Sequence, residues 1–285
     1  MQVAHRHVES MGTRLDLVFP GMDTEHCSTL VKQVKAELDR IEAMLSIYRP
    51  DSELSLINSH THAGSIPLSQ EMRDILTRIK TYHAETRGYF DLSLKAVSDF
   101  WRAHSGNAEE PPETVRNKAG MQRIILEGGS IRFRTQGVQL DLGGFGKGYA
   151  VKRMLPMLEE AGVSCALISF GESLIYGLGS HPYGDSWKVR IPVADPSKPL
   201  VYQLKDQALS ISGNSLNNQK KFADSGHIVN PVTLSMARME GLLSVKAADP
   251  ERAEVLSTAL FSAGPGVADE LIHDLPDIES HWVFN

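Results

Sequence analysis

The sequence predicts an α+β fold, and two observations carry that prediction. Segments of helical period and segments of alternating apolar residues are interspersed, without the steady strand–helix alternation of a doubly wound sheet. With 285 residues, 41% of them apolar and 22% charged, the chain can bury a substantial core in one large domain or two lobes. A net charge of −6 argues against a nucleic-acid binder, which usually carries a basic excess. Cys27 and Cys165 are far apart and suggest neither a disulfide framework nor a cysteine metal site. Cys165 opens the apolar run to Gly171 and reads as a buried strand residue. No run is long enough for a transmembrane helix, so no membrane insertion is expected. Met1–Glu9 is polar and His-rich rather than signal-like, which places the chain in the cytoplasm, or in the periplasm if an export signal has been removed.

In chain order, Met11-Gly12-Thr13 leads into alternating Leu15, Leu17 and Phe19, a first strand closed by Pro20-Gly21. Thr24 is the expected N-cap of a long amphipathic helix to about Leu45, with Leu30, Val34, Leu38, Ile41 and Leu45 on one stripe. Pro50 and Asp51 make a turn, and Ser52 can cap a short helix. Tyr48, just before it, reads from its surroundings as a partly buried packing residue. Leu68 to Thr86 has helical period, with Met72, Ile75, Leu76 and Ile79 inward. Gly88 to Ser93 starts another helix, whose N-terminal end Asp91 would suit. A polar, Pro-containing loop follows over Ala103–Pro112. Further strands are expected over Ile131–Leu140, around Leu167, near Trp187–Val193 and over Ala208–Ser212.

The block Asp141-Leu142-Gly143-Gly144-Phe145-Gly146-Lys147-Gly148 lies between the strand Ile131–Leu140 and a helix expected from Tyr149 to Ala161. Glycine lets a backbone approach a ligand, and the first amides of a helix suit a phosphate. Asp141 could hold a cation or a polar ligand group, and Lys147 could meet a phosphate. The spacing is neither that of a Walker loop nor that of a dinucleotide fingerprint, so a Gly-rich turn with a solvated lysine is an equal reading. His227, before Ile228-Val229-Asn230-Pro231, is an ordinary loop residue, or else a proton acceptor or a ligand-contacting donor. Asp249 looks like an N-cap with Pro250 at the first helical position. Glu254 and Thr258 then lie one turn apart, as a common surface pair or as oxygens for a hard cation.

Taken together, these stretches resemble the ApbE family of FAD:protein FMN transferases. The resemblance runs from Met11 to about Ala263, through the ordered blocks 45–58, 88–93, 141–151 and 256–260. It implies one domain over 1–285 with a mixed, largely antiparallel sheet and packed helices. It also implies Mg²⁺-dependent transfer of FMN from FAD onto a Thr or Ser hydroxyl of an acceptor flavoprotein, with release of AMP. Some members instead hydrolyse FAD to FMN and AMP.

By position, the resemblance puts Met11, Tyr48, Tyr89, Phe90, Asp91, Asp141, Lys147 and Ile228 at the FAD site. The Gly144 carbonyl, Glu254, Ser257 and Thr258 fall at the metal, and His227 on the family's His-x-x-Asp-Pro histidine. Asp141 or His227 would take the hydroxyl proton. FAD enters as substrate rather than as redox cofactor, which sets aside a flavin oxidoreductase. The chain departs from the family at Glu254 and Asn230, each in place of Asp. It departs also at Leu234, where Gly is usual, so that the turn there should differ, and at Gly171-Glu172-Ser173, in place of Gly-Gly-Asp. Glu254 and Asn230 also leave open a flavin-binding protein that has lost catalysis.

Overall fold

A computed structural model of the chain describes residues 3–62, 64–104, 110–191, 193, 199–214, 228–237, 239 and 241–284. The polar N-terminus, unassigned from its composition, is a strand. β1 (Val3–Ser10) and β2 (Thr13–Pro20) form an antiparallel hairpin in register Ser10↔Thr13. Its two-residue turn puts Met11 and Gly12 at φ 53° and 71°. Positive φ at both central positions matches the twist of a tight hairpin, and Asn-Gly is the usual occupant. A methionine there is held in a conformation that costs a side-chain-bearing residue on the order of 1 kcal/mol or more.

Helix α1 (Thr24–Leu45) follows, capped by Asp23 rather than by Thr24: the Asp23 carboxylate accepts the Glu25 and His26 N–H groups at 3.0 Å. Its buried stripe, Cys27 to Leu45, is the one the period predicts. α2 (Glu53–Ser59) is capped by Ser52 as expected. After the two-residue β3 (Ile66–Pro67) comes α3 (Gln70–Glu85), with Met72, Ile75, Leu76 and Ile79 buried. α4 (Lys95–Ala103) begins later than the sequence suggests, and Asp91 does not cap it. Residues 105–109 of the expected loop lie outside the described residues. α5 (Glu113–Arg116) is followed by the hairpin β4 (Ile124–Glu127) and β5 (Ser130–Phe133). The strand expected to reach Leu140 therefore stops at Phe133, and residues 134–145 run as turns and extended chain. Its alternation persists because Val138 and Leu140 are buried in the core without a neighbouring strand.

α6 (Gly146–Glu160) starts three residues before the predicted Tyr149, so half of the glycine block is its first turn. β6 (Ala166–Phe170) and β7 (Leu174–Leu178) make a hairpin. Cys165 precedes β6 and is only half-buried. β8 (Trp187–Ile191), β9 (Leu200–Leu204), β10 (Gln207–Asn214) and β11 (Gly241–Ala247) follow, then α7 (Pro250–Ala263), α8 (Pro265–His273) and β12 (Glu279–Phe284).

Among the described residues the main sheet has seven strands in the order β1-β2-β6-β7-β10-β11-β12, and each neighbouring pair is antiparallel. Alternation along β6 explains the two-sided packing. Ala166, Ile168 and Phe170 enter the large core with α1 and α6, whereas Leu167 joins Trp187, Tyr202 and Leu204 of the β8–β9 hairpin on the other face. α7 packs on β10 and β11 and against α6. That α6–α7 contact is where the candidate site forms.

Candidate active site

The segment leading out of α3 is fastened before it reaches the site. Thr86 Oγ1 accepts the Phe90 N–H at 3.0 Å, and His83 Nδ1 bonds the Phe90 carbonyl at 2.7 Å. Arg87 and Gly88 both take positive φ, which turns Tyr89–Ser93 back across the helix end. The Asp91 carboxylate accepts the Ser93 N–H at 2.7 Å, the Ser93 hydroxyl at 2.6 Å and the Met121 N–H at 3.0 Å. Asp91 thus ties this segment to Met121. Beside it opens a cavity of about 390 Å³ lined in part by His83, Gly88, Asp91, Arg123 and Leu234.

The glycine block is held against the same segment. The Asp141 N–H donates to the Leu92 carbonyl at 2.8 Å. Asn58, at the end of the 45–58 block, grips the preceding residue from both sides: Nδ2 donates to the Leu140 carbonyl at 2.9 Å and Oδ1 accepts the Leu140 N–H at 2.7 Å. Asp141 Oδ1 accepts the Gly143 N–H at 2.9 Å. Burial pushes the Asp141 carboxyl above its ordinary pKa, with the Gly143 N–H and the more distant Lys95 opposing.

Opposite stands α7, which Asp249 caps by accepting the Glu251 N–H at 2.9 Å, with Pro250 at its start as predicted. Glu254 is no surface residue: it is 3% exposed. Its Oε1 receives Lys147 Nζ at 2.5 Å and its Oε2 the Gly148 N–H at 2.6 Å. Gly148 is in the first turn of α6, so a carboxylate from α7 satisfies an end-of-helix donor of α6. Phe145, the α6 N-cap, has no side-chain cap of its own. A Cβ at Gly148 would lie 2.5 Å from the Pro250 carbonyl oxygen, so only glycine allows this approach.

One turn beyond Glu254, Thr258 faces Gly144. A Cβ at Gly144 would sit 3.1 Å from Thr258 Oγ1 and 3.5 Å from the Phe90 ring. The missing side chain leaves a small cradle bordered by a hydroxyl, with a carboxylate one turn away, all hard oxygen donors of the kind Mg²⁺ prefers. The set fits such an ion in donor type. Ser257 uses its hydroxyl elsewhere: it lies 2.9 Å from those of Ser210 and Ser212 and donates to the Glu254 carbonyl at 3.0 Å. Among the described residues, no group of three or more His, Cys, Asp or Glu side chains could hold a metal.

The structure thus brings together Phe90, Asp141, Gly144, Lys147, Glu254 and Thr258. Met11 joins them through its side chain, since a Cβ at Gly146 would meet Met11 Cε at 2.8 Å. The Met11 N–H is anchored on Glu42 at 2.9 Å. Tyr89 and Ile228 pack on the apolar face of α7 with Leu256 and Leu260. Tyr48 is not the packing residue its surroundings suggest: it is 82% exposed. His227 lies outside the described residues.

The turn at Leu234 resolves differently from expectation. Leu234 takes φ 58°, a glycine-like conformation, so the backbone turns as a glycine would allow. Its carbonyl accepts the Trp101 indole N–H at 2.9 Å. Asn230 accepts the Val232 and Thr233 N–H groups and donates to the Ser262 carbonyl at 2.9 Å, tying this loop to the end of α7. A carboxylate could not make that last bond. Glu251, fully buried at the start of α7, is not among the residues the sequence singles out. It receives Arg78 at 2.9 and 3.2 Å and the Tyr82 hydroxyl at 3.2 Å. Its one local signal, a glutamate beside an N-cap and Pro, is shared by many exposed helix starts.

An antiparallel seven-stranded sheet, backed by helices that close a glycine-rich helix start against an oxygen-bearing partner helix, defines an α+β protein in which groups suited to an anion meet groups suited to a cation. Residues 11–282 match the ApbE family, and the chain belongs to it. The chain is 25% identical over 280 residues to an FAD:protein FMN transferase of Escherichia coli K12, spanning 93% of this chain and 79% of that protein. It is 30% identical over 216 residues to one from Chlamydia trachomatis, 71% of this chain and 64% of that protein. Two solved structures share the fold. The flavin transferase ApbE of Vibrio cholerae superposes with a TM-score of 0.82 at 20% identity, over 99% of this chain and 93% of its own. The apo flavinyl transferase ApbE of Pseudomonas stutzeri gives 0.84 at 23%, over 100% and 91%.

Proposed function

We propose that this chain is an FAD:protein FMN transferase, as its relatives are named, and that its active site lies where 86–93, 141–148 and 254–258 meet. The observation that carries the reading is the meeting of a glycine-lined helix start, a basic side chain and hard oxygen donors in one place. FAD is the substrate and a threonine or serine hydroxyl of an acceptor flavoprotein is the nucleophile. The hydroxyl oxygen attacks the FMN-side phosphorus, a new P–O ester bond forms, the pyrophosphate P–O bond breaks and AMP leaves with the bridging oxygen. The hydroxyl proton passes to Asp141 or His227. The raised pKa of Asp141 makes it a stronger base once ionised. Lys147 and the α6 start draw the pyrophosphate, while Met11, Tyr89 and Phe90 offer apolar contact to the ring systems. Glu254, Thr258 and the Gly144 carbonyl would hold Mg²⁺, which when bound neutralises pyrophosphate charge.

The test is incubation of purified protein with FAD and Mg²⁺, with and without a candidate acceptor, following AMP and protein-bound flavin fluorescence. AMP with a fluorescent acceptor is expected. AMP with free FMN alone would make it a hydrolase. A second reading, FAD binding without turnover, is favoured by one observation: both Glu254 oxygens already have partners. FAD binding with no AMP, cured by Glu254→Asp, would establish that reading instead.

A further inference from the structure

We propose that Lys147 is an exchange latch on Glu254. In the ligand-free chain its ammonium holds the carboxylate; when a pyrophosphate anion enters, Lys147 moves to the anion and frees Glu254 for a divalent cation. The inference rests on the transferase reading for the identity of the anion, FAD, but not for the contact itself.

Glu254 is 3% exposed, and a carboxylate so buried needs a positive partner. Its two oxygens differ in how replaceable their partners are. Oε2 is bound to the Gly148 N–H, a backbone group pinned where α6 touches Pro250 and Glu251. Oε1 is bound to Lys147 Nζ, the tip of a flexible side chain that retains 23% exposure. Lys147 also sits in the first turn of α6, where an anion is attracted. Nearby cations are already committed: Lys152 pairs with Asp249 and Arg78 with Glu251. Thr258, one turn from Glu254, faces the Gly144 cradle that would receive the cation. Lys147 is therefore the partner that can leave, and its departure uncovers a buried negative charge one helical turn from the Thr258 hydroxyl.

The consequence is thermodynamic. Once Lys147 swings from Glu254 to a phosphate, the carboxylate is left open to a cation, so anion and cation each favour the state that accepts the other. Their affinities are then coupled reciprocally, by on the order of tenfold.

Calorimetric titration of Mn²⁺ into the FAD-free protein tests this directly. Lys147→Met is expected to bind Mn²⁺ about tenfold more tightly than the wild type, and Lys147→Arg about as weakly as the wild type. A Lys147→Met protein with native circular dichroism but unimproved Mn²⁺ binding would overturn the latch, as would equal tightening in Lys147→Arg. If Lys147→Met fails to fold, the wild type decides. FAD binding followed by rapid mixing, before AMP forms, should tighten about tenfold with Mg²⁺. FAD affinity indifferent to Mg²⁺ would overturn the proposal. The Mn²⁺ titration needs no FAD, so the latch can fail in a protein that still releases AMP, and it can hold where no AMP appears.

Discussion

Gly148→Ala separates helix propensity from packing at the point where α6 and α7 meet. In a helix interior the change should stabilise by about 1 kcal/mol. Here the new Cβ would lie 2.5 Å from the Pro250 carbonyl oxygen, 2.7 Å from Glu251 Cα and 3.0 Å from Glu251 N. All three are backbone atoms, so relief requires the helices to part, at a cost of about 1–3 kcal/mol. Parting also stretches the 2.6 Å bond from the Gly148 N–H to Glu254, and a hydrogen bond to a charged group is worth about 1.5–3 kcal/mol. The propensity gain is outweighed, and the net loss is about 2–4 kcal/mol. Urea unfolding should show a lower midpoint at unchanged slope. Gly146→Ala is the control: its Cβ meets Met11 Cε at 2.8 Å, the end of a flexible side chain, so the loss should stay under about 1 kcal/mol. A Gly148→Ala midpoint at or above that of the wild type would refute the close-contact account.

Glu251→Gln removes the charge from a fully buried carboxylate that Arg78 and Tyr82 both address. Because Arg78 is partly solvated, the expected loss is about 2–3 kcal/mol, below the full cost of breaking a buried pair, and thermal melting measures it. Asn58→Asp keeps the acceptor for the Leu140 N–H but turns an oxygen toward the Leu140 carbonyl. A loss of about 1–3 kcal/mol and weaker FAD binding are expected, and unchanged binding would show that the Asp141 segment needs no such grip. Asp141 has a folded-state pKa above its unfolded value, so the folded chain binds the extra proton and stability falls as pH rises through that interval. Asp141→Asn should therefore melt higher than the wild type at pH 7, and the gain should vanish below about pH 4, where the unfolded carboxyl is also protonated. A variant that melts lower at pH 7 would mean that the Gly143 N–H contact outweighs the burial. FAD affinity should drop in the same variant.

Local patterns carried much of the fold because they report which face of an element is buried. The stripes of α1 and α3 and the Asp249-Pro250 start of α7 were readable for that reason. The start of α6 was misplaced because glycines have no period to read, and the strand to Leu140 was overextended because Val138 and Leu140 are buried without a strand partner. β12 was missed, since its burial alternates only weakly at the sheet edge.

By itself, the sequence determined the α+β class, the main helices and the family, because periodicity and ordered motifs are properties of neighbouring residues. Tertiary structure alone decided how those motifs act on one another. Lys147 and Glu254 are 107 residues apart, and nothing local shows that they pair or that Glu254 caps α6. Arg78 and Glu251 are 173 apart, so a glutamate resembling any exposed helix start becomes a buried charge. Gly144 and Thr258 acquire meaning only when α7 is laid against the glycine block. Burial and charge pairing belong to contacts across the fold, and the chemistry of this site is made of such contacts.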